Sequence, residues 1–316
     1  MDLLVIGDSA IDYYMKLAKT DDIKQESTSI GPEICFYHGS KIPVDDFESS
    51  IAGNSVNVSV GCTKLGLKTT IYTEIGNDNN AERIIRELRD VGVNTTYCIK
   101  NDGIETDVHT IIVFGGERTI FTYHGKRDYR VQNWDKPKLI YFTSLGEGFQ
   151  KFQKELIEYI KANPGIGVAF NPGTIQMKAG IDSFKDFLEI TDILFVNMDE
   201  AGKIVGEKPL EQIHIDLHKL GVKLSVITNG KEGANAFDGE NLVSVNAYSD
   251  QRPVLDKTGA GDAFSSGFLS AIYYKKPLKE ALAWGVVNSG GVIKEIGAIK
   301  GLQTKDKMEE AVEGLI

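Results

Sequence analysis

The segment Asp256-Lys-Thr-Gly-Ala-Gly-Asp-Ala-Phe264 decides the fold of this chain, because it joins a glycine-rich turn directly to a helix. The helix is predicted from Phe264, Phe268 and Ile272, which recur at helical spacing and form one apolar face. The small residues 259–261 leave their backbone N–H groups unshielded at the positive N-terminal end of this helix. The segment therefore predicts an anion-binding loop.

Asp262 falls in the first turn of the predicted helix. A helix N-terminus stabilises an ionised carboxylate, so we predict that Asp262 is a base at neutral pH unless it is deeply buried. A base beside an anion-binding loop suits phosphoryl transfer, because it takes the proton of an attacking hydroxyl while N–H groups hold the charge on the phosphate. The alternative is an ordinary glycine-rich helix start that Asp262 only caps.

The segment resembles the second signature of the ribokinase (PfkB) carbohydrate kinase family, D-T-x-G-A-G-D-x-F followed by a glycine. Lys257 stands where the family commonly has Thr. The resemblance implies an ATP-dependent kinase that phosphorylates an alcohol group, with Asp262 as general base. It also implies that the anion hole is formed by Gly259, Ala260 and Gly261.

Composition agrees with an enzyme that acts on small molecules. The chain has 316 residues, with 35 Lys and Arg against 45 Asp and Glu, and a net charge of −10. This balance argues against nucleic acid or an anionic membrane surface as the main partner. The first residues carry no basic region, and no apolar run approaches membrane-spanning length, so we predict a cytoplasmic protein.

Short apolar runs alternate with amphipathic helical patterns along the chain. Runs this continuous are typical of strands covered on both faces, which predicts a mostly parallel central sheet flanked by helices. With the resemblance, the fold class is α/β, a ribokinase-like three-layer fold in a single domain over residues 1–316. The predicted strands are Leu3–Ile6, Thr69–Tyr72, Leu139–Phe142, Val168–Phe170, Ile193–Val196 and Leu224–Ile227.

Two segments interrupt this alternation, at residues 13–50 and 105–126, and are predicted to form a small β-sheet lid. Val108–Phe114 and Thr119–Tyr123 read as a β-hairpin around Gly115-Gly116. The edges of such a sheet need cover, which pairing of two copies would provide. The lid resembles the β-clasp of the family, and this resemblance implies a homodimer through the lid.

Polar residues follow four of the predicted strands, where ligands bind in open α/β sheets. They are Gly7-Asp8, Asn171, Asn197 and Thr228. The alternative for any one of them is that Asp, Asn and Gly are common in turns.

Two segments resemble substrate loops of the family. In residues 7–12, Asp8 and Asp12 are predicted to accept hydrogen bonds from sugar hydroxyls. Residues 52–57 resemble the first signature, A-G-G-x-x-x-N, with one residue fewer before the final Asn and with its second glycine replaced. The resemblance implies substrate contacts from Gly53, Asn54 and Asn57.

Further resemblances concern metal and nucleotide. Asn197-Met-Asp-Glu200 resembles the N-x-x-E motif, which implies that Asn197 and Glu200 order Mg²⁺ and phosphates, often through water. Residues 228–233 resemble T-x-G-x-x-G, a nucleotide loop. The residues implied to bind ATP are Thr228, Gly230, Gly233 and, for the adenine, Asn288.

Relatives in the family also use K⁺ near the loop that contains Asp256. Gly297-Ala298 resembles the other half of such a site.

The acceptor is less well defined. Family members acting on phosphorylated sugars tend to carry Lys in a K-P-N segment where this chain has Ala169-Phe-Asn-Pro-Gly173, which disfavours a phosphofructokinase-like role. A free sugar such as ribose is the leading prediction. Residues 35–38 offer aromatic faces for a nucleoside base, so a nucleoside kinase is the alternative. A non-catalytic sugar or nucleotide sensor is the third reading.

Two other features are predicted to lie at the surface. The basic cluster 126–130 follows the hairpin and is predicted to be solvent-exposed. His214 and His218 have the spacing of a helical metal site, but Ile213 and Leu217 define the buried side, so both histidines are predicted to face solvent.

Overall fold

A nine-stranded sheet forms the centre of the protein. The computed structural model describes residues 1–28 and 31–315. All six predicted strands are confirmed within this part of the chain. The strands are β1 (Leu3–Ile6), β2 (Ala10–Leu17), β3 (Ile23–Ser27), β4 (Pro32–Phe36), β5 (Val44–Ala52), β6 (Thr69–Gly76), β7 (Asn94–Asn101), β8 (Asp107–Phe114), β9 (Glu117–Tyr123), β10 (Leu139–Phe142), β11 (Gly167–Phe170), β12 (Ile193–Asn197), β13 (Leu224–Thr228), β14 (Ala234–Phe237) and β15 (Leu242–Val245).

The strand order in the central sheet is β15-β14-β13-β12-β11-β10-β1-β6-β7. The seven strands from β13 to β7 pair in parallel, whereas β14 and β15 are antiparallel. The sequence did not reveal β7, β14 and β15, because these strands lie at or next to an edge of the sheet and are interrupted by polar residues. Because the seven strands from β13 to β7 are parallel, their carboxyl ends lie side by side along one end of the sheet, as predicted.

Helices cover both faces of the sheet. Leu3 and Val5 of β1 pack in one apolar cluster, and Leu4 and Ile6 pack in another on the opposite face. The helices are α1 (Asn54–Lys64), α2 (Asn79–Asp90), α3 (Phe149–Ala162), α4 (Thr174–Ala179), α5 (Lys185–Leu188), α6 (Met198–Val205), α7 (Leu210–Lys219), α8 (Ala260–Tyr273), α9 (Leu278–Val292) and α10 (Lys305–Glu313). Helices α1, α8, α9 and α10 contribute to the first cluster, and α3, α6 and α7 contribute to the second. Within the described residues, every helix is too short or too polar to cross a lipid bilayer.

Helices α8 and α9 pack unusually closely. A Cβ atom added at Gly267 of α8 would lie 2.5 Å from the Trp284 carbonyl oxygen of α9. Only glycine permits this approach of the two backbones. The contact fixes the helix that carries Asp262.

The lid is a separate four-stranded sheet with the order β5-β2-β8-β9. It begins at Ala10 rather than at residue 13, because β2 pairs with β5 from Ala10 opposite Ala52. Strands β3 and β4 form a second, two-stranded hairpin within the same segment. Ser29 and Ile30, which fall in the predicted lid segment, lie outside the described residues.

His214 corrects one prediction. Its side chain is buried, and its Nδ1 lies 2.7 Å from the Ser225 hydroxyl. Burial lowers the pKa of His214 to about 4, so the ring is neutral. The buried stripe of α7 is one residue wider than the apolar residues indicated, whereas His218 is exposed as predicted.

Candidate active site

Asp262 lies where the N-termini of two helices meet. Its carboxylate accepts a hydrogen bond from the Asn54 side-chain amide at 3.1 Å and another from the Asn57 amide at 2.8 Å. Asn54 begins α1, and Asp262 occupies the first turn of α8. Asn54, which stands where the first signature has its second glycine, therefore contacts the candidate base.

Burial changes the proton affinity of Asp262. Its pKa is raised to about 7. Removal from water is the largest cause and the charge of Glu200 adds to it, whereas the two amide hydrogen bonds oppose the increase. The predicted ionised state was conditional on exposure, and Asp262 is in fact buried. The group is therefore poised to exchange a proton near neutral pH.

The glycine-rich turn opens into a cavity of about 230 Å³. Gly259 caps α8 with φ of 75°, which glycine adopts without strain. The Ala260 N–H is partly engaged, since it donates to the Lys257 carbonyl at 3.3 Å. In the described part of the chain the N–H groups of Gly259 and Gly261 have no partner. The cavity brings together eight predicted residues, namely Asn54, Asn197, Glu200, Thr228, Gly259, Ala260, Gly261 and Asp262.

Asn197 and Glu200 form a capping box at the start of α6. The Glu200 N–H donates to the Asn197 side chain, and Glu200 Oε2 accepts from the Asn197 N–H, both at 2.9 Å. The Glu200 side chain lines the cavity of Asp262. A carboxylate at this position fits a Mg²⁺ ion that keeps most of its water ligands.

A second cavity of about 140 Å³ adjoins the first. Thr228, Gly230 and Gly233, the residues of the predicted nucleotide loop, line it. Asn288 does not. It is fully buried, its amide donates to the Ala263 carbonyl at 2.9 Å, and its oxygen accepts from the Gln303 N–H at 2.9 Å.

The prediction for Asn288 therefore needs correction. Its amide group bonds two residues of α8 and its oxygen bonds the segment before α10, so these hydrogen bonds serve packing rather than a ligand. Its neighbours Ser289 and Gly290 line the second cavity instead.

The predicted substrate aspartates are both buried. Asp8 accepts a hydrogen bond from the Tyr129 hydroxyl at 2.9 Å, and Asp12 lies 2.8 Å from His109 Nδ1. Burial and the neighbouring charge of Asp107 raise the pKa of Asp8 to about 7. Gly53 is required here, because a Cβ atom would lie 2.4 Å from the Asp8 carbonyl oxygen.

A buried ionic cluster behind these aspartates was not apparent from sequence. Asp107 accepts from Arg127 at 2.6 Å and from His124 at 2.9 Å. Arg127 and Tyr129 are buried, so the surface position predicted for the cluster 126–130 is wrong at these two residues. The sequence around Arg127 cannot reveal this burial, because it depends on pairing with Asp107, which the fold brings next to it. The lid register does give a signal for His109, since it lies directly opposite Asp12.

Asp256, the predicted potassium ligand, accepts hydrogen bonds from two loops and from the lid. Oδ1 accepts from the Thr258 N–H at 2.9 Å, from the Thr258 hydroxyl at 2.8 Å and from the Arg118 guanidinium, while Oδ2 accepts from the Gly297 N–H at 3.1 Å. These donors lower the pKa of Asp256 against the opposing effect of burial. The carboxylate is ionised and surrounded by donors.

The family assignment follows from comparison with known proteins. The model of the pfkB family of carbohydrate kinases matches residues 5–305. This chain belongs to that family. It is therefore a phosphotransferase with an alcohol group as acceptor.

Members of the family that are similar to this chain are named for different substrates. An ATP-dependent 6-phosphofructokinase of Thermoanaerobacterium thermosaccharolyticum is 25% identical over 92% of this chain and 94% of its own length. A 2-dehydro-3-deoxygluconokinase of Escherichia coli is 33% identical over 80% of this chain and 91% of its own length.

Solved structures confirm the fold. Arabidopsis thaliana ribokinase complexed with ribose and ATP superimposes with a TM-score of 0.81, at 20% identity over 99% of this chain and 98% of that one. The nucleoside kinase of Methanocaldococcus jannaschii gives a TM-score of 0.79, at 20% identity over 99% of both chains.

Proposed function

We propose that this kinase transfers the γ-phosphate of ATP to a primary hydroxyl of a small free sugar, with a ribose-like sugar as the leading acceptor. The observation that carries the proposal is the position of Asp262. Its carboxylate, with a pKa of about 7, shares one cavity with the unpaired N–H groups of the glycine-rich turn. A base and an anion-binding loop are the two parts that phosphoryl transfer to an alcohol requires.

In the proposed reaction, Asp262 takes the proton of the acceptor hydroxyl as its oxygen forms a bond to the γ-phosphorus of ATP. The bond between that phosphorus and the bridging oxygen breaks, and ADP leaves with the electron pair. The N–H groups of the residues 259–261 hold the charge that develops on the transferred group. Asn54 and Asn57 keep the Asp262 carboxylate oriented.

Glu200 is the proposed contact for Mg²⁺, through water. Bound there, Mg²⁺ would neutralise the phosphate oxygens. The nucleotide is proposed to lie along Thr228, Gly230 and Gly233, with its base against Ser289 and Gly290 of the second cavity. The requirement for ATP leads us to infer a cytoplasmic site of action.

The acceptor side favours a polyol. Asp8 and Asp12 present carboxylate oxygens, and the buried Asn57 Oδ1 has no hydrogen-bond partner among the described residues. These atoms are acceptors, so they select a ligand that donates through several O–H groups.

A nucleoside is the second candidate acceptor. Phe36 and Tyr37 are 40% and 52% exposed, which leaves aromatic surface for a base. The fold likeness to a nucleoside kinase is compatible with this reading. The sensor hypothesis is disfavoured by the intact arrangement around Asp262.

The lid is proposed to pair two copies of the chain. Tyr13, Phe47, Phe121 and Tyr123 lie on the face of the lid that is turned away from Asp12. Phe47 and Phe121 are each 55% exposed. Covering such a face is a common reason for self-association.

Release of ADP from Mg-ATP, measured across free pentoses, hexoses, sugar acids, sugar phosphates and nucleosides, tests this function. We expect stimulation by a free sugar, and a loss of kcat of about 10²-fold or more in Asp262→Asn, since general-base catalysis contributes roughly 10²–10⁴-fold.

Asp182→Asn provides the control, because it makes the same chemical change at the partly exposed turn that follows α4. Stimulation only by a nucleoside would establish the second candidate. Turnover of Asp262→Asn at the wild-type rate would exclude Asp262 as the base. Binding without turnover across the panel would favour the sensor.

A further inference from the structure

Arg118 connects the lid to the loop that precedes the candidate catalytic helix. Its guanidinium donates to the Asp256 carboxylate and to the Thr258 hydroxyl. Arg118 belongs to β9 of the lid, and Thr258 is adjacent to Gly259 of the anion-binding loop. We propose that Arg118 takes the place of a monovalent cation beside Asp256, so that this kinase does not depend on K⁺ and the lid itself positions the anion-binding loop.

The first argument is the number of acceptor sites on Asp256. A carboxylate offers about four lone-pair positions. Four donors already approach its oxygens, namely the Thr258 N–H, the Thr258 hydroxyl, the Gly297 N–H and the Arg118 guanidinium. Three of these donors share Oδ1 and one lies on Oδ2, so a metal ion would have to approach a carboxylate surrounded by partly positive N–H and O–H hydrogens and by the charged guanidinium, all of which repel a cation.

The second argument is charge. Asp256 is only 6% exposed, and a buried carboxylate is costly unless a cation lies beside it. Arg118 provides that cation, and its side chain is 33% exposed. A permanently charged guanidinium meets the electrostatic requirement that a bound K⁺ would otherwise meet.

The third argument is position. Asp256 joins two loops, since it holds Thr258 on one side and Gly297 on the other. Gly297 is followed by Ala298, whose Cβ would be 2.3 Å from a side chain placed at Gly259. Arg118 therefore acts on the anion-binding loop through Asp256, as a positioning residue rather than one that contacts the phosphate.

A cavity of about 370 Å³ borders Arg118, Asp256 and Lys257, between the lid and the body of the protein. It is large enough to admit small ions if the arginine side chain is removed. Lys16 lines the same cavity and makes no ion pair within the described residues. Lys16→Ala is therefore a matched control for Arg118→Ala.

The test measures thermal unfolding without nucleotide, and turnover where an acceptor is known, in KCl and in tetramethylammonium chloride at equal ionic strength. A bound ion stabilises the folded state by mass action. We expect the wild type and Lys16→Ala to have the same Tm and kcat in both salts.

Arg118→Ala should lose Tm and about 10- to 100-fold in kcat, the range expected when a charged hydrogen bond is removed. Its KM for the acceptor should change less than kcat. Millimolar guanidinium or K⁺ should restore part of both Tm and kcat.

Three results would overturn the proposal. They are a K⁺-specific gain in wild-type Tm or kcat, an Arg118→Ala variant indistinguishable from the wild type, or a destabilised variant that neither cation restores. The effect on kcat rests on the proposed kinase function, but the measurements of Tm do not. If no acceptor is found, that result counts against the proposed kinase function. The Tm measurements still decide whether Arg118 takes the place of a cation.

Discussion

At the scale of single residues, Asp262 combines a buried position with a charge that the reaction needs. Its pKa rises from 3.8 to about 7 because burial outweighs the hydrogen bonds from Asn54 and Asn57. Between these values the folded protein retains a proton that the unfolded chain has released. The free energy of unfolding therefore falls as the pH rises across this interval. The ionised form that accepts a proton from substrate is the form that destabilises the fold.

We expect activity and stability to change in opposite directions over this interval. The kcat should increase as the pH passes about 7 and then level off, because only ionised Asp262 acts as a base. Asp262→Asn should be almost inactive but more stable at about pH 8, by up to roughly 4 kcal/mol for a shift of this size. The Asn57 amide can reverse to serve the new donor, because its Oδ1 has no partner within the described residues.

Urea unfolding of both proteins at several pH values measures this difference. Asp8 and His214 also have shifted pKa values, so the wild type alone would report a mixture of contributions. The comparison with Asp262→Asn isolates one of them. Equal stabilities at about pH 8, or a wild-type kcat independent of pH around neutrality, would contradict the assignment.

The sequence was most informative about residues that belong to continuous motifs. Asp262, Glu200 and Thr228 follow recognisable turns at strand or helix ends, and all of them line one cavity. The ionisation of Asp262 could not be predicted, because its burial is created by α1, more than 200 positions away in sequence. The same reason applies to Arg118, whose contact with Asp256 depends on how the lid meets the body of the protein.

At the scale of elements, the contact between α8 and α9 explains why a glycine follows the second signature. The predicted apolar face of α8 packs as expected, with Phe264 and Phe268 buried. What the pattern did not reveal is that α9 approaches so closely that Gly267 touches the backbone of Trp284. Helical periodicity identifies the buried face but carries no information on the distance between helices.

Gly267→Ala should push α8 away from α9 and disturb the position of Asp262. We expect a loss of stability of about 1–3 kcal/mol, which is typical of an overpacked core, together with a lower kcat. Gly202→Ala in α6 is the control, because its new Cβ would lie 3.6 Å from the nearest atom. That substitution should be neutral or slightly stabilising, since alanine favours helix.

Thermal unfolding and turnover of the two alanine variants measure this contrast. A Gly267→Ala variant as stable and active as Gly202→Ala would show that the two helices can separate without cost.

At the scale of the whole molecule, the two faces of the lid have different chemistry. The face towards the body carries Asp12 and His109, and Arg118 extends from the same face to Asp256. The opposite face carries Phe47 and Phe121, and the Phe47 ring stacks on Tyr13 at 6.0 Å. The Gly115-Gly116 turn allowed the hairpin of the lid to be predicted, but only the register of the strands shows which residues share each face.

Adjacent residues of β9 allow the proposed pairing of lids to be tested with a matched pair of variants. Phe121 and Ile120 are 55% and 48% exposed, and they lie on opposite faces of the same strand. A stable interface buries about 800 Å² on each partner, so a charge at its centre should separate the copies. We expect sedimentation to show a dimer for the wild type and for Ile120→Glu, but a monomer for Phe121→Glu. A monomeric wild type at micromolar concentration, or a dimer that Phe121→Glu leaves intact, would mean that this face of the lid does not pair.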